Sequence, residues 1–144
     1  MNSSDASAGA EQRAEGRAEL RIVCGPTGAG KSALALALAE RHGLTILAAD
    51  SRQVYRGFDI GTAKPTATER ARVPHEGIDI ADPTERYSAA AWAAYGAAVI
   101  DRLGAARVLI VGGTGLYLRA LVQPLFAEPP IDPARRAALA AELD

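Results

Sequence analysis

One cysteine, one tryptophan and one methionine stand in 144 residues, and aromatics make up only 5% of them. A lone cysteine cannot close an intrachain disulfide, so no disulfide framework holds this chain and a reducing, cytoplasmic setting is expected. Cys24 is read as a small apolar residue buried on a first strand rather than as a reactive thiol. No apolar run approaches the roughly 18 residues that a membrane-spanning helix needs, so no membrane partner is expected. A charge excess is missing too. Sixteen Lys and Arg balance 17 Asp and Glu to a net charge of −1, without the basic surplus that marks an isolated nucleic-acid-binding module. Residues 1–18 contain no apolar stretch and read as a disordered leader rather than a signal peptide. What is present is 49% apolar content in a chain the length of one domain, enough to bury a core.

The most informative stretch is Gly25-Pro26-Thr27-Gly28-Ala29-Gly30-Lys31-Ser32, directly after the apolar run Leu20–Cys24. It matches G-x-x-x-x-G-K-[ST] in a strand-then-helix setting, the arrangement of a phosphate-cradling P-loop. Glycines let the backbone curl so that successive N–H groups point inward as an anion nest. Lys31 adds a positive charge for the outer phosphates, and the Ser32 hydroxyl is placed to ligate Mg²⁺. The segment predicts binding of a diphosphate or polyphosphate.

Helix-forming residues from Lys31 to His42, apolar nearly all round, predict a helix packed between a sheet and other helices, closed by Gly43. Leu44–Ala48 reads as a second strand. Loops with a short helix near Thr66–Arg72 fill Arg56–Pro83. Ser88 is placed to cap a helix reaching Leu103, whose stripe of Trp92, Tyr95, Val99 and Leu103 faces a core. Val108–Val111 is a third strand, and Gly112-Gly113-Thr114-Gly115 turns into a helix from Leu116 to about Val122. Alternating strands and helices imply an α/β fold: a three-layer parallel sheet of the P-loop nucleoside triphosphate hydrolase type. Residues 19–126 would form this core. After Pro124 a proline-rich linker precedes a helix running to the end of the chain, so the fold is expected to be incomplete at its C-terminus.

In open α/β sheets ligands bind beyond the carboxyl ends of the strands. Three such ends carry polar groups: the P-loop, Asp50-Ser51-Arg52-Gln53, and Gly112–Gly115. They are expected to meet in one cleft. Asp50 suits a general base or a group near Mg²⁺, with capping of a turn as the competing role. Thr114 can offer its hydroxyl to a phosphate or cap the following helix. No acidic residue ends the third strand, which disfavours a hydrolytic motor and favours group transfer. Arg52 and Lys64 are candidates for phosphate or RNA-backbone contact, whereas His75 reads as a structural hydrogen-bonding residue on a loop.

Gly25–Ser32, the run Ala49-Asp-Ser-Arg-Gln-Val-Tyr-Arg-Gly57 continuing through Asp59–Pro65, Ile78–Pro83 with Tyr87-Ser88, and Gly112–Leu118 together resemble the tRNA dimethylallyltransferase (isopentenyltransferase) family. That resemblance implies transfer of a dimethylallyl group from dimethylallyl diphosphate to N6 of the adenosine beside the anticodon (position 37). The acceptors are tRNAs reading codons that start with U, and the product is N6-isopentenyladenosine. It implies that Gly25, Pro26, Thr27, Gly28, Ala29, Gly30, Lys31 and Ser32 hold the diphosphate, with Mg²⁺ on Ser32. By the same resemblance Asp50, Lys31 and Thr114 are catalytic, and Asp50, Ser51, Arg52, Gln53, Thr114 and Arg136 meet the tRNA anticodon stem-loop. Residues 127–144 would then be a linker and the start of a helical tRNA-binding insertion, in a protein expected to be monomeric. The family is about twice as long, and where it has a second histidine and an apolar residue this chain has Glu76-Gly77. A P-loop small-molecule kinase, an adenine-nucleotide prenyltransferase and a non-catalytic nucleotide-binding module are the competing readings.

Overall fold

The computed structural model describes residues 19–123 and 132–142. The expected leader, the last three residues of the expected core (124–126) and the linker as far as residue 131 lie outside the described residues. Four strands form one parallel sheet: β1 (Arg21–Cys24), β2 (Thr45–Ala49), β3 (His75–Glu76) and β4 (Val108–Gly112), in the spatial order β1-β4-β2-β3. The helices are α1 (Lys31–His42), α2 (Ala67–Arg72), α3 (Ala89–Leu103), α4 (Gly115–Val122) and α5 (Pro133–Ala141).

Side chains alternate across a strand with period two, and the two inner strands divide the core accordingly. Ile46 of β2 and Leu109 of β4 pack with Ala35 and Ala39 of α1 and with Leu44 and Val73. Leu47 and Ala49, with Val108 and Ile110, pack on the opposite face against Trp92 and Val99 of α3 and Tyr117 and Ala120 of α4. The expected three layers follow directly. Trp92 is fully buried, stacks on Tyr117 with ring centroids 5.0 Å apart, and donates from Nε1 to the Ala48 carbonyl at 3.0 Å. Burial pushes the Tyr117 hydroxyl up to about 12, so it stays neutral.

Local signals hold at the helix ends. The Ser88 Oγ accepts from Ala91 N, and Thr66 and Glu69 form a reciprocal capping box at the start of α2. Three expectations fail. Cys24 is exposed, and β1 as a whole is largely exposed, because the chain inserts β4 between β1 and β2 and leaves β1 at the sheet edge. Helix α1 buries only Ala35 and Ala39, while Leu34 is half exposed, so a single face of it packs. His75 is not on a loop: it begins the two-residue strand β3, opposite Ile46, too short to carry any periodicity.

The departure at Glu76-Gly77 has a local cause. Gly77 takes φ +79°, and a Cβ there would sit 2.6 Å from the Ala48 carbonyl oxygen, so this crossing admits only glycine. Glu76 meets the Tyr95 hydroxyl and pairs with Arg102 at 2.7 Å.

Lys64 was a candidate for phosphate or RNA contact; its ammonium is spent elsewhere. Its side chain is only 3% exposed and its Nζ donates to the Tyr55 carbonyl at 2.7 Å, Asp59 at 3.0 Å and Asp79 at 2.6 Å. Arg70 closes the cluster on Asp79 at 2.8 Å. Burial pushes Lys64 down, but the hydrogen bonds and charges of Asp79 and Asp59 outweigh it and hold its pKa above the ordinary value. Burial likewise pushes Asp79 up, and its bonds to Lys64 and Arg70 overcome this and hold it below the ordinary range. Lys64→Met should cost about 1–3 kcal/mol, because Asp79 and the Tyr55 carbonyl lose their buried donor while the exposed Asp59 loses little. The sign of each shift sets the pH window. Asp79's contribution is present above 3.8 and lost as pH falls through its lowered pKa. Lys64's contribution is present below 10.5 and lost as pH rises through its raised pKa. Thermal melts of native chain and variant should therefore differ by a constant gap near neutrality that shrinks at both extremes. A gap unchanged in strong acid would contradict the assignment.

Candidate active site

The strand order brings three loops together. Because β4 lies between β1 and β2, its carboxyl end sits beside both the P-loop and the Asp50 turn. Contact between these ends is intimate: a Cβ on Gly112 would lie 2.1 Å from the Ala49 carbonyl oxygen. Thr114 N donates to that same carbonyl at 3.3 Å, and Ser51 N donates to the Thr114 hydroxyl oxygen at 3.1 Å. The loops enclose a cavity of about 860 Å³ lined by Lys31, Ser32, Asp50 and Thr114 together. All eight P-loop positions lie at this strand end, and all but Ala29 line the cavity.

Within the P-loop, Gly30 occupies the N-cap of α1, so the first helical amides open toward the cavity. Lys31 folds back and donates to the Pro26 carbonyl at 2.6 Å. Asp50 fills the capping role through one oxygen: Oδ1 accepts from Arg52 N at 2.8 Å and Gln53 N at 3.3 Å. Among the described residues Oδ2 has no hydrogen-bond partner. Thr114 stands at the N-cap position of α4, but its side chain makes no cap there and is turned to Ser51 instead. Since it accepts from Ser51, its own O–H remains free to donate. Gln53 spends both Nε2 donors on the carbonyls of Thr62 at 3.0 Å and Ala63 at 3.1 Å, so it braces the neighbouring loop. Ser51 and Arg52 line the cavity and are exposed. Arg136 falls within α5, and its side chain lies outside the described residues.

The structure adds groups that the sequence reading did not select. Leu36, Ile46, Ala48, Ile78 and Val111 give the cavity an apolar side. Ile46, Ala48 and Val111 stand in continuous apolar strands, Leu36 on α1 and Ile78 just beyond β3, so no local pattern in the sequence marks them as cavity wall. His75 lines the cavity as well, with Nδ1 2.7 Å from the Val73 carbonyl, and burial holds its pKa below the ordinary histidine value. Among the described residues no group of three or more His, Cys, Asp or Glu could hold a metal ion.

Residues 53–144 match the IPP transferase family, and residues 18–76 match the isopentenyl transferase family. This chain belongs to the IPP transferase family. Its similarity to tRNA dimethylallyltransferase of Deinococcus radiodurans is 55% identity over 124 residues, 85% of this chain and 40% of that one. The enzyme of the same name from Geobacter metallireducens is 57% identical over 118 residues, 80% of this chain and 38% of its own. Among solved structures, the tRNA isopentenylpyrophosphate transferase of Bacillus halodurans superposes with a TM-score of 0.71 at 38% identity, covering 88% of this chain and 43% of that protein. A eukaryotic dimethylallyltransferase captured acting on tRNA superposes equally well, at 0.71 and 26% identity. The chain thus spans about two fifths of the length of the Deinococcus and Bacillus proteins and about a third of the eukaryotic one, and its own parallel sheet carries the P-loop and the Asp50 turn.

Proposed function

We propose that this chain forms the donor and proton-acceptor half of an enzyme that moves a dimethylallyl group from dimethylallyl diphosphate to N6 of the adenosine beside a tRNA anticodon. The observation that supports it most is the single cavity onto which Lys31, Asp50 and Thr114 all open, with an apolar side next to the phosphate loop. A phosphate site alone suits any nucleotide. The apolar side formed by Leu36, Ile46, Ala48, Ile78 and Val111 suits a short branched hydrocarbon attached to the diphosphate.

In this reading the diphosphate lies on the P-loop amides and draws Lys31 off the Pro26 carbonyl. The Thr114 hydroxyl donates to a phosphate oxygen. Ser32 is an oxygen donor suited to Mg²⁺, which commonly takes few protein ligands and fills its shell from phosphate and water. The ion, when bound, would neutralise charge on the departing pyrophosphate. An aromatic exocyclic amine is a weak nucleophile, so the allylic carbon–oxygen bond must be well advanced in breaking. Pyrophosphate leaves with the bonding pair, the adenine nitrogen bonds the carbon, and the surplus N6 proton passes to Asp50 Oδ2. Electrostatic stabilisation of the leaving group commonly supplies several kcal/mol, and a positioned base about 10²–10⁴-fold in rate. The adenine must be drawn out of its stack to reach the cavity.

The test is a radiolabel assay with the donor, unmodified tRNA and Mg²⁺. Label should appear in tRNA, and Lys31→Ala should weaken donor binding by roughly tenfold or more as a charge-assisted contact is lost. Phosphate transfer from ATP to a metabolite, or prenylation of free AMP without tRNA, would assign the site to a different acceptor and defeat the proposal.

A further inference from the structure

Two large apolar side chains stand in water beside the cavity on one short turn. Phe58 is 49% exposed and Ile60 is 98% exposed. Singly exposed apolar residues are ordinary, but this pair sits on a turn that is fixed from several sides. Thr62 Oγ1 closes it on the Phe58 carbonyl at 2.6 Å, and Gln53 Nε2 holds the Thr62 and Ala63 carbonyls. The nearly buried Lys64 ammonium anchors its base to Tyr55, Asp59 and Asp79. The Phe58 ring meets Tyr55 edge to face, with centroids 5.8 Å apart and planes at 79°. The end of the same turn, from Gly61 to Pro65, is cavity wall. Arg52 lines the cavity and Arg56 stands two positions before Phe58; both are exposed and neither forms an ion pair among the described residues, Arg56 acting on Asp82 only as a nearby charge. The turn's own carboxylate, Asp59, is paired with Lys64.

We propose that Phe58 and Ile60 form a stacking lip for an unpaired nucleobase of the RNA acceptor, the neighbour of the base that enters the cavity, with Arg56 meeting the adjoining phosphate. This rests on the functional reading above and names the part of the surface that receives the RNA loop. An aromatic ring held in place, an apolar side chain next to it and flanking arginines are what an unstacked single strand requires: a flat face for a base and positive charge for its backbone. Because the turn is already ordered, docking a base costs little further ordering. A second copy of the chain would also cover apolar side chains, but the flanking arginines favour a polyanion over a like-charged partner.

The experiment measures binding of a fluorescent anticodon stem-loop RNA to the whole chain by anisotropy over a series of salt concentrations. Pyrophosphate binding is followed by calorimetry, and mass by light scattering. Phe58→Ala and Ile60→Ser should each weaken RNA binding about fivefold or more without changing its salt slope, while Phe58→Tyr retains affinity. Arg56→Gln should lower that slope by about one. Pyrophosphate binding should be the same in all four variants, showing that each is folded. RNA affinity within about twofold of native for both Phe58→Ala and Ile60→Ser would overturn the lip alone. A native dimer that these substitutions dissolve would reassign the lip to a second copy. Failure of the native chain to bind RNA while it still binds pyrophosphate would overturn the functional reading and the lip together.

Discussion

Asparagine at position 50 is expected to leave diphosphate binding close to native and to lower prenyl transfer by about 10²–10⁴-fold. The reason lies in how the two carboxylate oxygens are used. Oδ1 holds the turn by accepting from Arg52 N and Gln53 N, while Oδ2 is without a partner among the described residues. An asparagine oxygen can keep the first job, but the amide cannot accept the N6 proton. Asp50→Ala removes both functions, so any further loss of stability or donor affinity in alanine relative to asparagine measures the turn. Calorimetry with the diphosphate and a single-turnover assay separate the two. If the asparagine variant loses donor binding and transfer in equal proportion, the carboxylate is a binding group and the proton goes elsewhere.

A methyl group at position 112 should be the most damaging small change in the sheet. Gly112 ends β4 opposite Ala49 in the parallel register, and an added Cβ would lie 2.1 Å from the Ala49 carbonyl oxygen and 2.8 Å from its Cβ. Neither obstacle is the far end of a flexible side chain, so backbone must move. Overpacking of this kind commonly costs about 1–3 kcal/mol, and more where backbone shifts. The melting temperature of Gly112→Ala should fall by on the order of 10 °C. The same shift separates Thr114 from Ser51 and Ala49, so diphosphate affinity should fall even well below the melting point. Gly113→Ala is the internal comparison: its nearest neighbour is the Gly25 carbonyl oxygen at 3.4 Å, and its drop should be smaller. Equal melting temperatures for Gly112→Ala and the native chain would refute the close approach.

Local chemistry in the sequence was sufficient for much of the architecture. The glycine-rich loop followed by Lys31-Ser32 and the Ser88 cap act through neighbours a few positions away, and the 3.6-residue stripe of α3, though it packs on distant residues, is a pattern within one short window, so no distant contact was needed to read them. The Asp50 turn was legible for the same reason, since its capping bonds span only two and three residues. The fate of Cys24 and Lys64 was not. Whether β1 is inner or outer depends on where β4 inserts, which is a pairing between residues more than eighty positions apart. Lys64 looks like any basic loop residue until Asp79, fifteen positions on, turns back to meet it.

The sequence by itself determined that a glycine-rich loop opens at the start of a helix in a parallel α/β sheet, with a carboxylate and a threonine at the ends of two further strands. Those features follow from backbone freedom, hydrophobic period and charge within short windows. Only the tertiary structure decided which strand lies between which. By seating β4 beside both β1 and β2, it put Lys31, Asp50 and Thr114 on one cavity, gave that cavity an apolar side, and held Phe58 and Ile60 out at its edge. Hydrogen bonds between strands act across sequence distance, and no local pattern encodes the order in which they form.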